Sequence, residues 1–177
     1  MVSTLLRSLT RHRYRTAIVA TLVVAVAAAA WYLGSPLFLI SYADEAPPTT
    51  TILPAAGSVP TTEETPVAAR VLTRGELGSV DSLHNGTGEV RLLEVGTSRF
   101  LRFESVAITN APDIHIYLST DTGGRYVEEN TLYLGALKAT TGSFNYQIPA
   151  GTALERYRSV VVWCRNFSTL ITWADLR

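Results

Sequence analysis

The stretch Ser159-Val-Val-Val-Trp-Cys-Arg-Asn-Phe167 combines the strongest strand pattern of the chain with its only cysteine, Cys164. Consecutive valines followed by tryptophan favour extended backbone, because β-branched and aromatic side chains pack well on a pleated sheet. Val160, Val162 and Cys164 should share one face of this strand, and Trp163 should lie on the other. A strand that is apolar on both faces is predicted to be central. Cys164 at its end would be a rigidly held thiol that reagents can reach.

Shorter runs with a period of two residues occupy the rest of the chain after residue 70. Apolar and polar residues alternate over 101–104, 114–118 and 144–148, which predicts strands with one face toward a core and one toward water. Turn sequences such as Asn85-Gly86 and Gly123-Gly124 separate them. This pattern predicts an all-β domain over 70–177, an antiparallel β-sandwich or barrel-like sandwich of about eight strands.

An almost uninterrupted apolar segment precedes this region. Residues 17–40 carry no charge and follow four arginines, so we expect a transmembrane helix over 16–42 after a basic cytoplasmic segment, 1–15. The positive-inside rule then places the C-terminal domain outside a cell membrane that the chain crosses once. A signal peptide cleaved near Ala28-Ala29-Ala30 is the alternative, but the apolar residues that continue beyond it favour a retained signal anchor.

Residues 43–69 are rich in proline and threonine and lack an apolar period, which predicts a disordered linker or stalk. The formal net charge is zero, so no electrostatic argument favours nucleic acid as a partner. A single cysteine excludes an intrachain disulfide and a multi-cysteine zinc site, and no metal-ligand spacing is present.

Three residues are candidates for chemistry. Cys164 is either a reactive thiol or a buried residue that only packs. His84, in a turn, and His115, on the polar face of a strand, are either ligands or surface residues. The chain shows no hydrolase, phosphate-loop or dinucleotide motif, so a stand-alone enzyme is less expected than an electron-transfer or binding module.

The region 70–177 resembles the DM-thirteen domain family, also called the electron transfer DM-thirteen domain. The segments that carry the resemblance are Gly75-Glu-Leu77, His84-Asn-Gly-Thr-Gly88, Ala111-Pro-Asp-Ile-His-Ile-Tyr-Leu118, Leu134-Gly-Ala-Leu-Lys138, Gly142 to Pro149, Ser159 to Phe167 and Ala174-Asp-Leu176. Ala111 and Leu77 depart from the family pattern, where glycine and an aromatic residue are usual.

The resemblance implies a β-rich extracytoplasmic domain in which Cys164 is redox-active, either as a free thiol or as the ligand of a prosthetic group such as haem. His84 or His115 would be the candidate second haem ligand. We therefore expect a membrane-anchored redox module with a redox partner protein. The alternative is a cell-surface binding or adhesion module with a structural Cys164, whose ligand would bind exposed faces that carry Arg102, Arg125, Tyr126 and Tyr133.

Overall fold

The computed structural model describes residues 2–38, 40–49 and 69–177 of the chain. These residues form two compact units, a helical unit up to Phe38 and a β unit from Ile40. Of the predicted linker 43–69, residues 50–68 lie outside the described residues.

The helical unit is a single helix, α1, over Val2–Phe38. Within it, Tyr14–Tyr32 is long and apolar enough to cross a membrane, and none of the residues in this span is buried. This composition is compatible with a single-pass anchor. The helix ends four residues before Tyr42, the predicted end of the membrane segment, and Tyr42 instead begins a strand.

The β unit contains nine strands in its described residues, arranged as two sheets that do not close into a barrel. The predicted all-β sandwich is therefore confirmed, with one strand more than the expected eight. The first sheet has the order β1-β7-β4-β3-β2, and the second has the order β6-β5-β8-β9. The strands are β1 Tyr42–Asp44, β2 Arg70–Glu76, β3 Gly86–Val95, β4 Ser98–Ile108, β5 Ile114–Ser119, β6 Thr131–Ala136, β7 Thr141–Ile148, β8 Ser159–Cys164 and β9 Thr169–Asp175.

Strand β8 is central, as its sequence predicts, because it pairs with β5 on one side and β9 on the other. Val160, Val162 and Cys164 all point into the core between the sheets. The inner face of the first sheet contributes aromatic residues, among them Phe103 and Phe144, whose ring centroids lie 5.0 Å apart. Because successive side chains of β8 point to opposite faces, Cys164 faces the core together with Val160 and Val162.

Strand β5 differs from the sequence expectation. Its alternating pattern predicted a polar face toward water, yet all six residues of Ile114–Ser119 are buried. The reason is tertiary: the connection between β5 and β6, together with β6 itself, places tyrosines over the outer face of β5. His115 consequently lies 7% exposed instead of on a solvent-facing surface.

Residues 40–49, which we call the N-terminal strap, belong to the β unit. Within the strap, β1 pairs in parallel with β7 and forms the edge of the first sheet. The backbone carbonyl of Ser41 accepts hydrogen bonds from the N–H groups of Thr140 (3.1 Å) and Thr141 (3.0 Å). The predicted disordered linker was expected to begin at residue 43, but residues 43–49 lie within the strap.

The carboxylate of Glu45 fastens the strap to the first sheet. It accepts hydrogen bonds from the backbone N–H of Asn145 (2.8 Å) and from Lys138 Nζ (2.7 Å). Burial alone would raise the pKa of Glu45, but the bonds from Lys138 and Asn145 outweigh it and leave the pKa below its ordinary value.

Arg102 projects from the outer face of the first sheet beneath the strap. It was expected on an exposed face, but it is 4% exposed. Its Nε and Nη2 donate to the two carboxylate oxygens of Glu104, and Nη1 donates to the backbone carbonyl of Glu45 (2.9 Å) and to Asn145 Oδ1 (3.0 Å). The strap covers this guanidinium, and its donors are satisfied by Glu104 of β4 and by groups that the strap and β7 supply.

The pairing with Arg102 predicts a pH dependence of stability. The Arg102 guanidinium lowers the pKa of Glu104 against the opposing effect of burial. A carboxylate with a depressed folded pKa stabilises the fold above its unfolded pKa, and that stability is lost as the pH falls. We expect Glu104→Gln to flatten the decline in unfolding free energy below about pH 5, measured by denaturant titration. Glu155→Gln, at an exposed position, is the control, and an unchanged profile in Glu104→Gln would contradict the prediction.

Candidate functional site

Cys164 is the last residue of β8, and the structure encloses its thiol. Its exposed fraction is 0%, and Sγ donates a hydrogen bond to the backbone carbonyl of Pro112 at 2.8 Å. The expectation of a reachable thiol is therefore wrong for the folded state. The exposed turn Arg165–Ser168 follows directly, so the buried thiol is next in sequence to a solvent-exposed segment.

Arg165 does not assist the thiol, because it lies on the opposite face of the second sheet. Its Nε donates to the phenol oxygen of Tyr117 at 2.6 Å, and its guanidinium carbon lies 4.5 Å from the ring centroid of Tyr133. The hydrogen bond from Arg165 to Tyr117 also raises the pKa of the guanidinium. The positive charge therefore acts on the outer face and not on Sγ.

Four aromatic side chains on that outer face form what we call the outer aromatic cluster: Tyr117, Tyr126, Tyr133 and Trp163. Tyr126 stacks on Trp163 with 4.3 Å between ring centroids and 11° between planes. Tyr117 lies 5.1 Å from Tyr126 and 5.4 Å from Tyr133. Burial raises the pKa of Tyr126 to about 12, with a further contribution from its hydrogen bond to Tyr117. The cluster links the centre of the sheet to Tyr133, which is 45% exposed.

His115 lies beside this cluster and is bonded through both ring nitrogens. Nδ1 lies 3.0 Å from the phenol oxygen of Tyr133, and Nε2 lies 2.6 Å from Oδ1 of Asp113. Asp113 has a φ of 66°, a left-handed conformation that aspartate and asparagine adopt more readily than most residues. The three side chains form a continuous hydrogen-bonded chain that ends at an exposed phenol.

His84 occupies the turn before β3, as its sequence predicts, and is held by Asp81. Its Nδ1 lies 2.8 Å from Oδ2 of Asp81, while its backbone N–H donates to Oδ1 of the same carboxylate at 2.7 Å. These hydrogen bonds from His84 lower the pKa of Asp81. Both bonds lie within the turn, so the His84 imidazole has a structural role in holding the turn together.

The positions of these residues do not fit a haem held by Cys164 and His115. The thiol points into the core, whereas the imidazole lies on the outer face of the same sheet and uses both nitrogens for other bonds. An iron beside Sγ would have to displace tightly packed core side chains. Cys164 and His115 therefore cannot ligate one haem in this fold.

The hydrogen-bonded group of Asp113, His115 and Tyr133 was not predicted from the sequence. A signal was present, because Trp163, His115 and Tyr117 all fall on the face opposite the inward-pointing residues of their strands. The sequence could not show that β5 pairs with β6, and this pairing brings Tyr133 opposite Tyr117.

Together these features define a class: a two-sheet β domain in a chain whose N-terminal helix is apolar enough to span a membrane, with a buried cysteine and an aromatic outer face. The Electron transfer DM13 family model matches residues 78–176, more than half of the chain, and the protein belongs to this family. The resemblance predicted from the sequence is thus confirmed. No curated protein and no solved structure matches the chain.

Proposed function

We propose that the protein is a membrane-anchored electron-transfer module whose β unit lies outside the cytoplasm. The observation that carries the proposal is the family match, which covers the second sheet and includes the only cysteine. The apolar helix, preceded by four arginines, supports the anchor and its orientation. A redox partner protein on the same side of the membrane follows from this role.

We assign the redox chemistry to Cys164, acting after local opening of the end of β8. In the closed state Sγ is fully buried and hydrogen-bonded to the carbonyl of Pro112, so a reagent cannot reach it. Opening of the Arg165–Ser168 turn would expose Sγ to a partner protein that carries a disulfide. Sγ then gives its proton to water and attacks one partner sulfur. The new S–S bond forms as the partner's S–S bond breaks, and the other partner sulfur leaves as a thiolate.

Timed alkylation of Cys164 in the full-length chain tests this assignment. We expect slow labelling that still precedes global unfolding, because strand ends open with less free energy than the whole domain. Unfolding is followed in parallel by tryptophan fluorescence, and Cys164→Ser serves as the unlabelled control. Labelling that occurs only at the rate or free energy of global unfolding would contradict the gated thiol.

The complete burial of Cys164 favours a second candidate, a binding module in which the cysteine only packs. This candidate predicts that Cys164→Ala changes stability but leaves any cellular redox phenotype intact. Loss of the phenotype in a folded Cys164→Ala variant would favour the electron-transfer role. A Soret band in the visible spectrum of the purified chain would instead reopen haem ligation.

A further inference from the structure

The chain of Asp113, His115 and Tyr133 is not explained by packing alone. The side chain of His115 is 9% exposed, that of Asp113 is 39% exposed, and residue Tyr133 is 45% exposed. A buried imidazole thus connects a carboxylate and a phenol that both reach solvent. Nothing in the proposed chemistry of Cys164 uses this group, because the thiol lies on the other face of the sheet.

With Asp113 ionised and His115 neutral, the two hydrogen bonds assign the tautomer of the imidazole. An ionised Asp113 can only accept, so Nε2 of His115 carries a proton toward it. In the neutral imidazole, Nδ1 is then the acceptor, and the phenol of Tyr133 donates to it. A positioned base therefore lies within hydrogen-bond reach of a phenol proton, oriented by a third group.

The surroundings of Tyr133 also affect how it can be oxidised. Its ring contacts Tyr117 in the outer aromatic cluster, and the cluster continues to Trp163. The guanidinium of Arg165, at 4.5 Å from the ring centroid, disfavours a positive charge on the ring. An electron can therefore leave Tyr133 readily only if the phenol proton leaves with it.

We propose that Tyr133 is a redox-active tyrosine, with His115 as its proton acceptor and Asp113 as the group that positions His115. The oxidant is a high-potential one-electron centre in a partner protein, such as an oxidised metal ion. It takes one electron from Tyr133, the phenol proton moves to Nδ1 of His115, and a neutral tyrosyl radical and an imidazolium paired with Asp113 result. Return of one electron and the same proton restores the starting state. The inference rests on the proposed electron-transfer function but uses a site separate from Cys164.

Flash oxidation of the full-length chain by a photo-excited ruthenium polypyridyl complex, with persulfate as electron acceptor, tests the inference. The readouts are the tyrosyl absorption band and its electron paramagnetic resonance signal. We expect Tyr133→Phe to remove most of the radical. Tyr42→Phe is the matched control, because Tyr42 is a 70% exposed tyrosine of the same domain, and it should leave the yield unchanged.

Two further variants test the proton acceptor. Glutamine in His115→Gln can accept a hydrogen bond but cannot take a proton at neutral pH, so radical formation should slow by roughly a hundredfold. Because His115 is buried, this variant could fail to fold. Asp113→Asn keeps an oxygen acceptor and suits the φ of 66°, and it should slow the reaction less, but measurably.

An unchanged radical yield in Tyr133→Phe overturns the inference, as does an unchanged rate in a folded Asp113→Asn variant. Cys164→Ala should retain the Tyr133 radical. If Cys164 is reactive but no radical forms at Tyr133, only this inference is refuted. A Tyr133 radical in a chain whose thiol is inert would refute only the assignment of the chemistry to Cys164.

Discussion

A chain that begins at Ala69 should unfold with about 3–6 kcal/mol less free energy than a chain that begins at Ile40. The comparison removes the N-terminal strap and leaves the second sheet intact. The loss includes the backbone bonds that Ser41 accepts from Thr140 and Thr141, and the bonds of Glu45 to Ser143 and Asn145. Each such bond contributes about 0.5–1.5 kcal/mol net. Urea denaturation of the two chains measures the difference.

The strap deletion should also change the association of the domain. Without β1, the outer edge of β7 presents unpaired backbone groups, and such an edge pairs readily with another chain. We expect the shorter chain to self-associate at concentrations where the longer one is monomeric, measured by analytical ultracentrifugation. Equal stability and equal association of the two chains would contradict the assignment of the strap to the domain.

Gly142 provides a point substitution that isolates the strap contact. A Cβ at this position would meet the backbone oxygen of Ala43, and the φ of +113° is one that other residues rarely adopt. Gly142→Val should therefore displace β1 as well as strain β7. Its cost should be smaller in the chain that begins at Ala69, because the contact with Ala43 is already lost there.

Arg102→Ala should lower the free energy of unfolding by about 3 kcal/mol. The guanidinium is buried, and its removal leaves the carboxylate of Glu104 and the amide oxygen of Asn145 without their donor. Loss of one partner of a buried ion pair costs about 3–5 kcal/mol. We expect the lower end of this range because the Glu104 carboxylate would keep two compensating contacts. Its side chain is 29% exposed to water, and Arg91 Nη1 lies 3.7 Å from it.

Arg99→Ala is the matched control for this prediction. Arg99 lies on the same strand and pairs with Glu94 at 3.5 Å, but its side chain is 41% exposed. An exposed pair contributes about 1 kcal/mol or less. Equal losses in the two variants would show that the burial of Arg102 beneath the strap does not matter energetically.

The fold class could be predicted because it depends on local patterns. The alternation around Val160 and Val162 identified a buried strand and the inward face of Cys164, and the turn residues separated the other strands. Residues 43–49 could not be assigned to the domain, because the pairing of β1 joins residues about a hundred positions apart and leaves no local pattern.

The candidate site was predictable only in part. The sequence singled out Cys164 and His115, but it could not show that one faces the core and the other is covered by tyrosines from elsewhere in the chain. Arg102 was misplaced for the same reason, since the alternation of β4 predicts an outward side chain but not what covers it.

The family resemblance, the apolar helix and the direction in which each residue of β8 points could all be predicted from the amino-acid sequence. The resemblance rests on short motifs, and the other two properties follow from composition and from a period of two residues along an extended chain. The burial of the thiol, the place of the strap and the hydrogen bonds between His115, Asp113 and Tyr133 became known from the folded structure alone. These depend on which distant strand lies beside which, and sheet pairing is set by the packing of the whole domain.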